Sequence, residues 1–233
     1  MQRIDVAVIG AGPYGLSLAA HLRRHGVNFR FFGKAMDTWR RHMPKNMMLK
    51  SEGFASNISG PDRDSTLKSY CRQHQVAYAD RGLPIKISDF IAYADWFRAK
   101  FAPELEETHV SSLKRVPDGF VLEMESGETL IAGKVVLAVG VSRFYHIPDV
   151  LGHLPPDIAS HSYDHRDVDH FKDQHVVVVG AGASAINLAY DLDLVGCHVQ
   201  ILARCSELQY NTPPPSKQAR TLRYRLRNPP SAI

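Results

Sequence analysis

Two apolar runs, each followed by a glycine-rich turn and a helical pattern, organise this chain. A continuous apolar run between turn signals predicts a buried parallel strand, and apolar positions three and four apart predict a helix. A further apolar run follows each helix, so the pattern predicts two β-α-β units. The expected elements are strands over 6–9, 28–32, 175–179 and 199–203, and helices over 16–22 and 186–194.

Between the two units the pattern changes several times. Residues 33–62 show no regular period, and so long an irregular stretch inside a compact domain is usually functional. Helical spacing follows over 66–75 and 89–101, with Ser88 as the expected N-cap of the second helix. Alternating runs separated by turn residues then predict an antiparallel meander, and a continuous apolar run ends the region. These strands are expected over 107–115, 119–125, 129–132 and 134–139.

The order of these elements predicts an α/β protein with two Rossmann-like dinucleotide-binding units. The first unit, residues 1–150, carries a helical and antiparallel β-meander insertion at 34–132. The second unit, residues 151–233, is incomplete, because two strands and one clear helix do not make a finished doubly wound sheet.

Each glycine-rich turn stands between a predicted strand and a predicted helix, the context in which a GxGxx(G/A) fingerprint indicates dinucleotide binding. The first glycine permits the tight turn, the second lets the backbone approach a pyrophosphate, and the small third residue lets the helix pack against the strand. The helix start then offers free N–H groups and a positive dipole end to the phosphates. The candidate cofactor-binding residues of the turns are Gly10, Gly12, Pro13, Gly15, Gly180, Gly182, Ser184 and Ala185.

The residue at the end of the second strand of such a unit selects the ribose that is bound. Lys34 and Arg204 both stand 24 residues after the first glycine of their turn, which supports an internal repeat. Arg204 is a cation where NAD-specific sites carry a carboxylate, and a guanidinium can bind the 2′-phosphate of NADP in a bidentate way. A solvated charge at a strand end is the alternative. The first unit offers no acid at this place, and its nearest carboxylate is Asp37.

Composition restricts the class of protein and its cellular compartment only a little. The chain has 233 residues, a net charge of +4 and 44% hydrophobic residues, which is ordinary for a globular protein. The charge fits a protein that binds anionic cofactors, and it fits a slightly basic cytosolic protein equally well. Three cysteines without a CxxC pair indicate a reducing compartment. Without a signal-peptide pattern or an apolar stretch of membrane-spanning length, we expect a cytoplasmic protein with no membrane partner.

Three other groups of residues can be considered as functional sites, and each gives a weaker indication of function. The histidine- and aspartate-rich stretch 161–170 matches no compact metal motif, so we expect a polar loop between the units and no metal site. The basic segment 217–227 lacks an aromatic stacking platform, so we expect a solvated tail or partial helix and no nucleic-acid partner. A dithiol reductase would need a cysteine pair, which the sequence does not offer.

The paired turns, the strand end at 137–140 and Arg204 resemble the corresponding parts of one class of flavin-dependent monooxygenases. This class includes flavin-containing, Baeyer–Villiger and N-hydroxylating enzymes. Residues 39–51 are similar to the Trp/His/Met-rich loop that lies near the flavin in the N-hydroxylating branch. The resemblance implies FAD at the first turn and NADPH at the second. The further residues that it suggests for cofactor contact are Lys34, Trp39, Met48, Ser51 and Gly140.

Asn57 is the one candidate catalytic residue. It resembles the amide that some members of the class place near the flavin, and an ordinary loop asparagine in an Asx turn is the alternative. The long segment 33–62 could shield a reactive flavin from water.

The resemblance further implies a monooxygenase that transfers hydride from NADPH to FAD and activates dioxygen as a flavin C4a-peroxide, which then oxidises a small-molecule substrate. Members of the class are considerably longer than this chain, and residues 154–162 only echo their FxGxxxHxxx(W/Y) signature. Two alternatives stay open: a truncated, non-catalytic nucleotide-binding remnant, and a flavoprotein reductase without hydroxylation activity. The sequence indicates neither the substrate nor the oligomeric state.

Overall fold

The computed structural model describes residues 2–205, 207 and 208. The chain divides into two compact units, Met1–His170 and Phe171–Ile233. The basic segment 217–227 lies outside the described residues. The assignment of one cofactor to each part of the chain, with a boundary at 150, stays a prediction.

A six-stranded sheet forms the frame of the first unit. Its strands are β1 Gln2–Ile9, β2 Phe29–Phe32, β3 Leu105–Glu106, β4 Val110–Val116, β5 Gly119–Met124 and β6 Thr129–Leu137. Their order across the sheet is β3-β2-β1-β6-β5-β4. The pairs β3–β2, β2–β1 and β1–β6 are parallel. The pairs β6–β5 and β5–β4 are antiparallel and form a meander. The predicted α/β class is confirmed.

One long strand replaces two expected ones. The runs 129–132 and 134–139 belong largely to β6, which pairs antiparallel with β5 over its first half and parallel with β1 from Leu130 to Leu137. Gly133 continues this strand, and a Cβ there would lie only 3.2 Å from the Asp5 carbonyl oxygen. The meander is therefore attached directly to the parallel core.

The α-helices of the described part of the first unit are α1 Pro13–Arg24, α2 Asp37–Arg41, α3 Leu67–Gln73 and α4 Ile87–Phe101, and short 3-10 helices lie in its loops. The short helix α2 lies in the stretch that was expected to be irregular. The prediction of Ser88 as an N-cap is wrong, because α4 begins at Ile87, two residues earlier than expected, and has Lys86 as its N-cap. The earlier start places Ile87, which is only 2% exposed, in the core.

Side chains of β1 and β2 alternate between two hydrophobic cores, as the two-residue period of a strand requires. Val8 and Phe31 pack against α1, α3 and α4 in the larger core. Ala7 and Phe32 pack on the other face, against apolar residues of β5 and β6. The parallel part of the sheet is thus covered by helices on one face, and on the other face its side chains pack with those of the meander strands of the same sheet.

The described part of the second unit is a single β-α-β element. Its members are β7 His175–Val179, α5 Ala183–Leu194 and β8 His198–Leu202. The two strands pair in parallel and in register from end to end. Val178, Ala189 and Leu192 are buried between the strands and the helix.

Among residues 2–205, 207 and 208, no helix has the length and apolar character needed to span a membrane.

Arg30 ties three parts of the first sheet together. From β2 it donates to Glu106 of β3 at 2.7 and 2.5 Å, and to Glu128 before β6 through both carboxylate oxygens, one of them at 3.0 Å. Its guanidinium also lies 5.0 Å from the centre of the Phe32 ring. The hydrogen bonds from Arg30 lower the pKa of Glu128 below its ordinary value.

Replacing Arg30 by Met should lower the midpoint of thermal unfolding near neutral pH by roughly 3–10 °C, because two carboxylates then face each other without their shared cation. A carboxyl group with a lowered pKa in the folded state stabilises the fold above its unfolded pKa, and that stabilisation is lost as the pH falls through the folded pKa. The difference from wild type should therefore shrink below about pH 4. Thermal scans followed by circular dichroism measure it, with Arg115→Met on the exposed side of β4 as control. An equal deficit at neutral and acid pH would contradict this role of Glu128.

Candidate nucleotide-binding site

The first glycine turn joins β1 to α1, where backbone segments come closer together than side chains would allow. Gly10 has a φ of +110°, and a Cβ there would lie 2.3 Å from the Ala138 carbonyl oxygen beyond β6. A Cβ at Gly15 would lie 1.9 Å from the Gly10 carbonyl oxygen. At Gly12, in contrast, a Cβ would meet nothing within 4 Å. The fold therefore requires Gly10 and Gly15, whereas Gly12 borders open space in which a ligand can approach the backbone.

Helix α1 begins at this turn without a side-chain cap. Gly12 is its N-cap, Pro13 is its first residue, and its first turn holds no acidic residue. The N–H groups of Tyr14 and Gly15 come too early in the helix to have an intrahelical partner. These groups and the positive end of the helix dipole suit an anionic ligand.

The chain that follows β2 is bonded directly to the glycine turn. The Met36 N–H donates to the Ala11 carbonyl oxygen at 2.9 Å. Met36 is fully buried and has a φ of +54°, which is uncommon for a residue with a side chain. Lys34 lies two residues before it and is exposed. The structure thus places Lys34 in the segment beside the turn, with its side chain in solvent.

The chain beyond β6 reaches the same edge of the sheet. The Ala138 N–H donates to the Ile9 carbonyl oxygen at 2.7 Å. Gly140 follows with a φ of +69° and is exposed. The Ser142 hydroxyl then donates to the Thr38 hydroxyl of α2 at 3.2 Å. The end of β6, the glycine turn and α2 are therefore brought together.

The remaining predicted contacts of the 39–51 segment have other partners. The ring of Trp39, in α2, packs on Phe90 of α4 with ring centres 4.8 Å apart. Met48 is 46% exposed and forms an isolated bridge to the residue before α4. The Ser51 hydroxyl is hydrogen-bonded to the Ser56 hydroxyl at 2.6 Å. Only Trp39 belongs to the helix beside the turn, and cofactor contact by these residues stays a prediction.

Asn57 holds the start of α3. Its side-chain N–H donates to the Phe54 carbonyl oxygen at 2.9 Å, and its side-chain oxygen accepts the Leu67 N–H at 2.9 Å. Leu67 is the first residue of α3. The fold therefore uses both ends of this amide, which supports the turn-forming alternative, and the catalytic role stays a prediction.

The second glycine turn repeats the geometry of the first. The Gly180 N–H donates to the last residue of β8 at 2.9 Å, and the Gly10 N–H donates to the last residue of β2 at 2.8 Å. Gly182, the N-cap of α5, has φ and ψ of −80° and 172°, against −80° and −173° at Gly12. The internal repeat in the sequence is thus also a repeat in backbone geometry.

The other predicted residues of the second turn are accessible. A Cβ at Gly182 would have no neighbouring atom within 4 Å, as at Gly12. Ser184 is exposed in the first turn of α5, which has no side-chain cap and no acidic residue there. Ala185 stands where the first unit has Gly15, and its Cβ would lie 3.5 Å from a Cβ on Gly180. Arg204 is exposed two residues beyond β8.

The histidine-rich stretch packs on the first unit. The rings of His42 and Tyr163 are stacked with centres 3.6 Å apart, and the His42 Nδ1–H donates to the Tyr163 carbonyl oxygen at 3.1 Å. The Tyr163 N–H in turn donates to His161 Nδ1 at 3.1 Å. Within the described part of the chain, no three His, Cys, Asp or Glu side chains are placed to hold a metal ion.

Sequence reasoning missed two residues that shape the site. Met36 carries no sequence signal for its left-handed backbone or for its bond to Ala11. Arg166 donates from Nη1 to the Trp39 and Met43 carbonyl oxygens at 3.0 and 3.4 Å. These partners lie 127 and 123 residues away in the sequence, so no local pattern marks them.

The chain matches one protein-family model over residues 7–227, and the description of that family is pyridine nucleotide-disulphide oxidoreductase. It is 26% identical over 216 residues to an NADH dehydrogenase of Bacillus subtilis, which covers 89% of this chain and 35% of that protein. It is 24% identical over 208 residues to the indole-3-pyruvate monooxygenase YUCCA1 of Oryza sativa subsp. japonica, which covers 84% of this chain and 47% of that protein. The chain thus spans less than half the length of these two relatives.

Solved structures share the fold at low identity. The bacillithiol disulfide reductase Bdr (YpdA) of Staphylococcus aureus has a TM-score of 0.74 at 19% identity, covering 90% of this chain and 59% of that one. A flavin-containing monooxygenase of Stenotrophomonas maltophilia has a TM-score of 0.72 at 20% identity, covering 91% and 61%. The cadaverine monooxygenase DfoA of Erwinia amylovora, bound to FAD, has a TM-score of 0.70 at 19% identity, covering 91% and 54%.

Gly10→Ala should lower the free energy of unfolding by about 2–6 kcal/mol, because it combines left-handed strain with a backbone clash at Ala138. Gly12→Ala should change it by less than about 1 kcal/mol, because Gly12 has an ordinary φ and open surroundings. Urea denaturation followed by circular dichroism measures both variants. Similar losses for the two would contradict the distinction between a glycine that the fold requires and one that a ligand requires.

Asn57→Ala should lower the free energy of unfolding by about 1 kcal/mol, because the Leu67 N–H loses its acceptor and the Phe54 carbonyl oxygen loses its donor. Asn57→Asp keeps an oxygen for the Leu67 N–H but cannot donate to the Phe54 carbonyl oxygen, so it should retain only part of the stability. The same urea titrations measure this, with the exposed Asn46→Ala as control. Unchanged stability in Asn57→Ala would show that the amide is not needed by the fold and would favour the catalytic alternative.

Proposed function

Because one family model matches residues 7–227, the chain belongs to the pyridine nucleotide-disulphide oxidoreductase family, and we propose that it acts as an FAD- and NADPH-dependent monooxygenase. In this proposal FAD binds at the first glycine turn and NADPH at the second, and dioxygen and a small organic molecule are the co-substrates. The observation that supports it most is the repeated geometry of the turns, each with a second glycine that borders open space. An enzyme that moves electrons from NADPH to FAD binds two dinucleotides, and two such turns can hold them.

The residues at the first turn fit a pyrophosphate. Gly12 leaves room for two phosphates to approach the backbone, and the start of α1 offers N–H groups without a competing side chain. No acidic residue in the first turn of α1 repels an anion. The hydrogen bond from Met36 to Ala11 holds the turn in this shape. Bound FAD would supply hydride acceptance from NADPH and electron delivery to dioxygen.

Arg204 supports NADPH over NADH at the second turn. It is exposed at the end of β8, where the ribose of a dinucleotide is selected. A guanidinium at this place can donate two hydrogen bonds to a 2′-phosphate and offers nothing comparable to a pair of ribose hydroxyls.

The cysteines argue against thiol–disulphide exchange as the reaction. All three are free: Cys71 and Cys197 are buried, and the exposed Cys205 has no second exposed cysteine in the described part of the chain with which to form a disulphide. Burial raises the pKa of both thiols, which disfavours the thiolate that such exchange requires. This favours dioxygen rather than a disulphide as the electron acceptor.

One other function has specific support. The similarity to an NADH dehydrogenase favours a reductase that passes electrons to another acceptor. NADPH-dependent dye reduction without oxidation of any organic substrate would favour this reductase over the monooxygenase. Sustained NADPH-dependent oxygen uptake would eliminate a nucleotide-binding module without turnover, the remaining alternative from the sequence.

Gly12→Ala should lower the affinity for FAD about tenfold or more, because the new methyl group occupies the space that the phosphates need. Arg204→Gln should lower the affinity for NADPH by about 10–100-fold and leave NADH within about twofold. Flavin absorbance and NADPH fluorescence titrations of the purified chain measure the two effects separately.

Gly152→Ala is the matched control, because a Cβ there meets its neighbours at an ordinary distance of 3.6 Å and lies in neither turn. If the wild-type chain takes up neither nucleotide, the proposed function is wrong. If Gly12→Ala and Gly152→Ala bind FAD equally well, the first turn is not the flavin site.

A further inference from the structure

Residues 163–167, here called the strap, bind along the segment that follows β2. Arg166 donates to the carbonyl oxygens of Trp39 and Met43, and the Arg166 carbonyl oxygen accepts the Lys45 N–H at 3.0 Å. The stacked pair of His42 and Tyr163 lies between these bonds. Tyr163 and Arg166, two of the five residues of the strap, thus contact one short stretch of chain.

The stretch held by the strap, residues 36–45, is the one that borders the glycine turn. Its first residue donates its N–H to Ala11, and the Thr38 hydroxyl accepts a hydrogen bond from Ser142. One end of residues 36–45 is therefore fixed by the turn and by the chain beyond β6. Beyond α2, residues 42–45 make hydrogen bonds, an ion pair and a ring contact with the strap.

Arg166 is suited to this position by its chemistry. The last carbonyl groups of α2 have no intrahelical donor, and Trp39 supplies one of them. A planar guanidinium can donate to two carbonyl oxygens at once from a fixed geometry, which a lysine ammonium on a flexible stem does less well. The side chain of Arg166 is partly buried, so its bonds are shielded from water more than those of a surface ion pair.

We propose that Arg166 is a positioning residue for the nucleotide site: it holds residues 36–45 against the glycine turn before any ligand arrives. The expected effect of Arg166 on the affinity for FAD rests on the proposed function, whereas its expected effect on the order of residues 36–45 does not. Because residues 36–45 are then already ordered, less conformational entropy is lost when a ligand binds.

The test compares Arg166→Gln and Arg166→Lys with the matched control Asp167→Asn. Asp167 belongs to the same strap, but its ion pair with Lys45, at 2.9 Å, is exposed and contributes little. The first readout is the rate of trypsin cleavage after Arg40 and Arg41 in the nucleotide-free chain, which reports local opening. We expect cleavage to rise about tenfold in Arg166→Gln, less in Arg166→Lys, and to stay within about twofold in Asp167→Asn.

The second readout is the dissociation constant for FAD, from quenching of flavin fluorescence, which should rise about 5–20-fold in Arg166→Gln and be partly restored in Arg166→Lys. Cleavage of Arg166→Gln at the wild-type rate would overturn the proposal, and so would faster cleavage with unchanged FAD affinity. If Arg166→Gln does not fold, Arg166→Lys gives both readouts on its own. If the wild-type chain binds no FAD, the proposed function fails, and the cleavage rates alone decide whether Arg166 holds residues 36–45.

Discussion

The first unit depends on a contact between backbones at Gly10. Its N–H donates to the last residue of β2, and the Ala138 carbonyl oxygen beyond β6 stands 2.3 Å from the place where a Cβ would be. Any side chain at this position would push the end of β6 away from the turn. Because backbones and not side chains make the contact, the start of α1 is fixed relative to the sheet, and the open space at Gly12 follows from that placement. The packing of the sheet and the shape of the candidate site thus have the same physical origin.

The two turns differ in the size of the residue that they accept at the third position of the fingerprint. In the first unit a Cβ at the third position would lie 1.9 Å from the Gly10 carbonyl oxygen, so only glycine fits at Gly15. The second unit has Ala185 at the corresponding position, and its Cβ comes no closer than ordinary contact to a Cβ placed on Gly180. Helix α5 therefore accommodates a methyl group where α1 does not, although the N-cap residues of the two helices have nearly the same φ and ψ.

Local patterns predicted the parts of the fold that are fixed by neighbours in sequence. The strands β1 and β7, the helices that follow them and the hairpins at Gly119 and Gly127 all carry a period or a turn residue of their own. The sequence could not predict that residues 129–137 form one strand, because partners on both sides, β1 and β5, decide it. It placed the N-cap of α4 at Ser88 from capping preference, whereas the helix begins at the buried Ile87. For the same reason the sequence found the glycines of the candidate site and missed Arg166, whose partners are brought to it by the fold alone.

The long segment after β2 is better described as a preformed wall than as a loose loop. Tyr93, in the middle of α4, is fully buried, and its hydroxyl accepts the Ile58 N–H at 3.1 Å and donates to the Ser65 carbonyl oxygen at 2.6 Å. Burial raises the pKa of this hydroxyl, so it keeps the proton that the second bond needs. The segment is thus anchored near its start by Met36 and near its end by Ile58. A segment that is already fixed at both ends loses less conformational entropy when a ligand binds beside it.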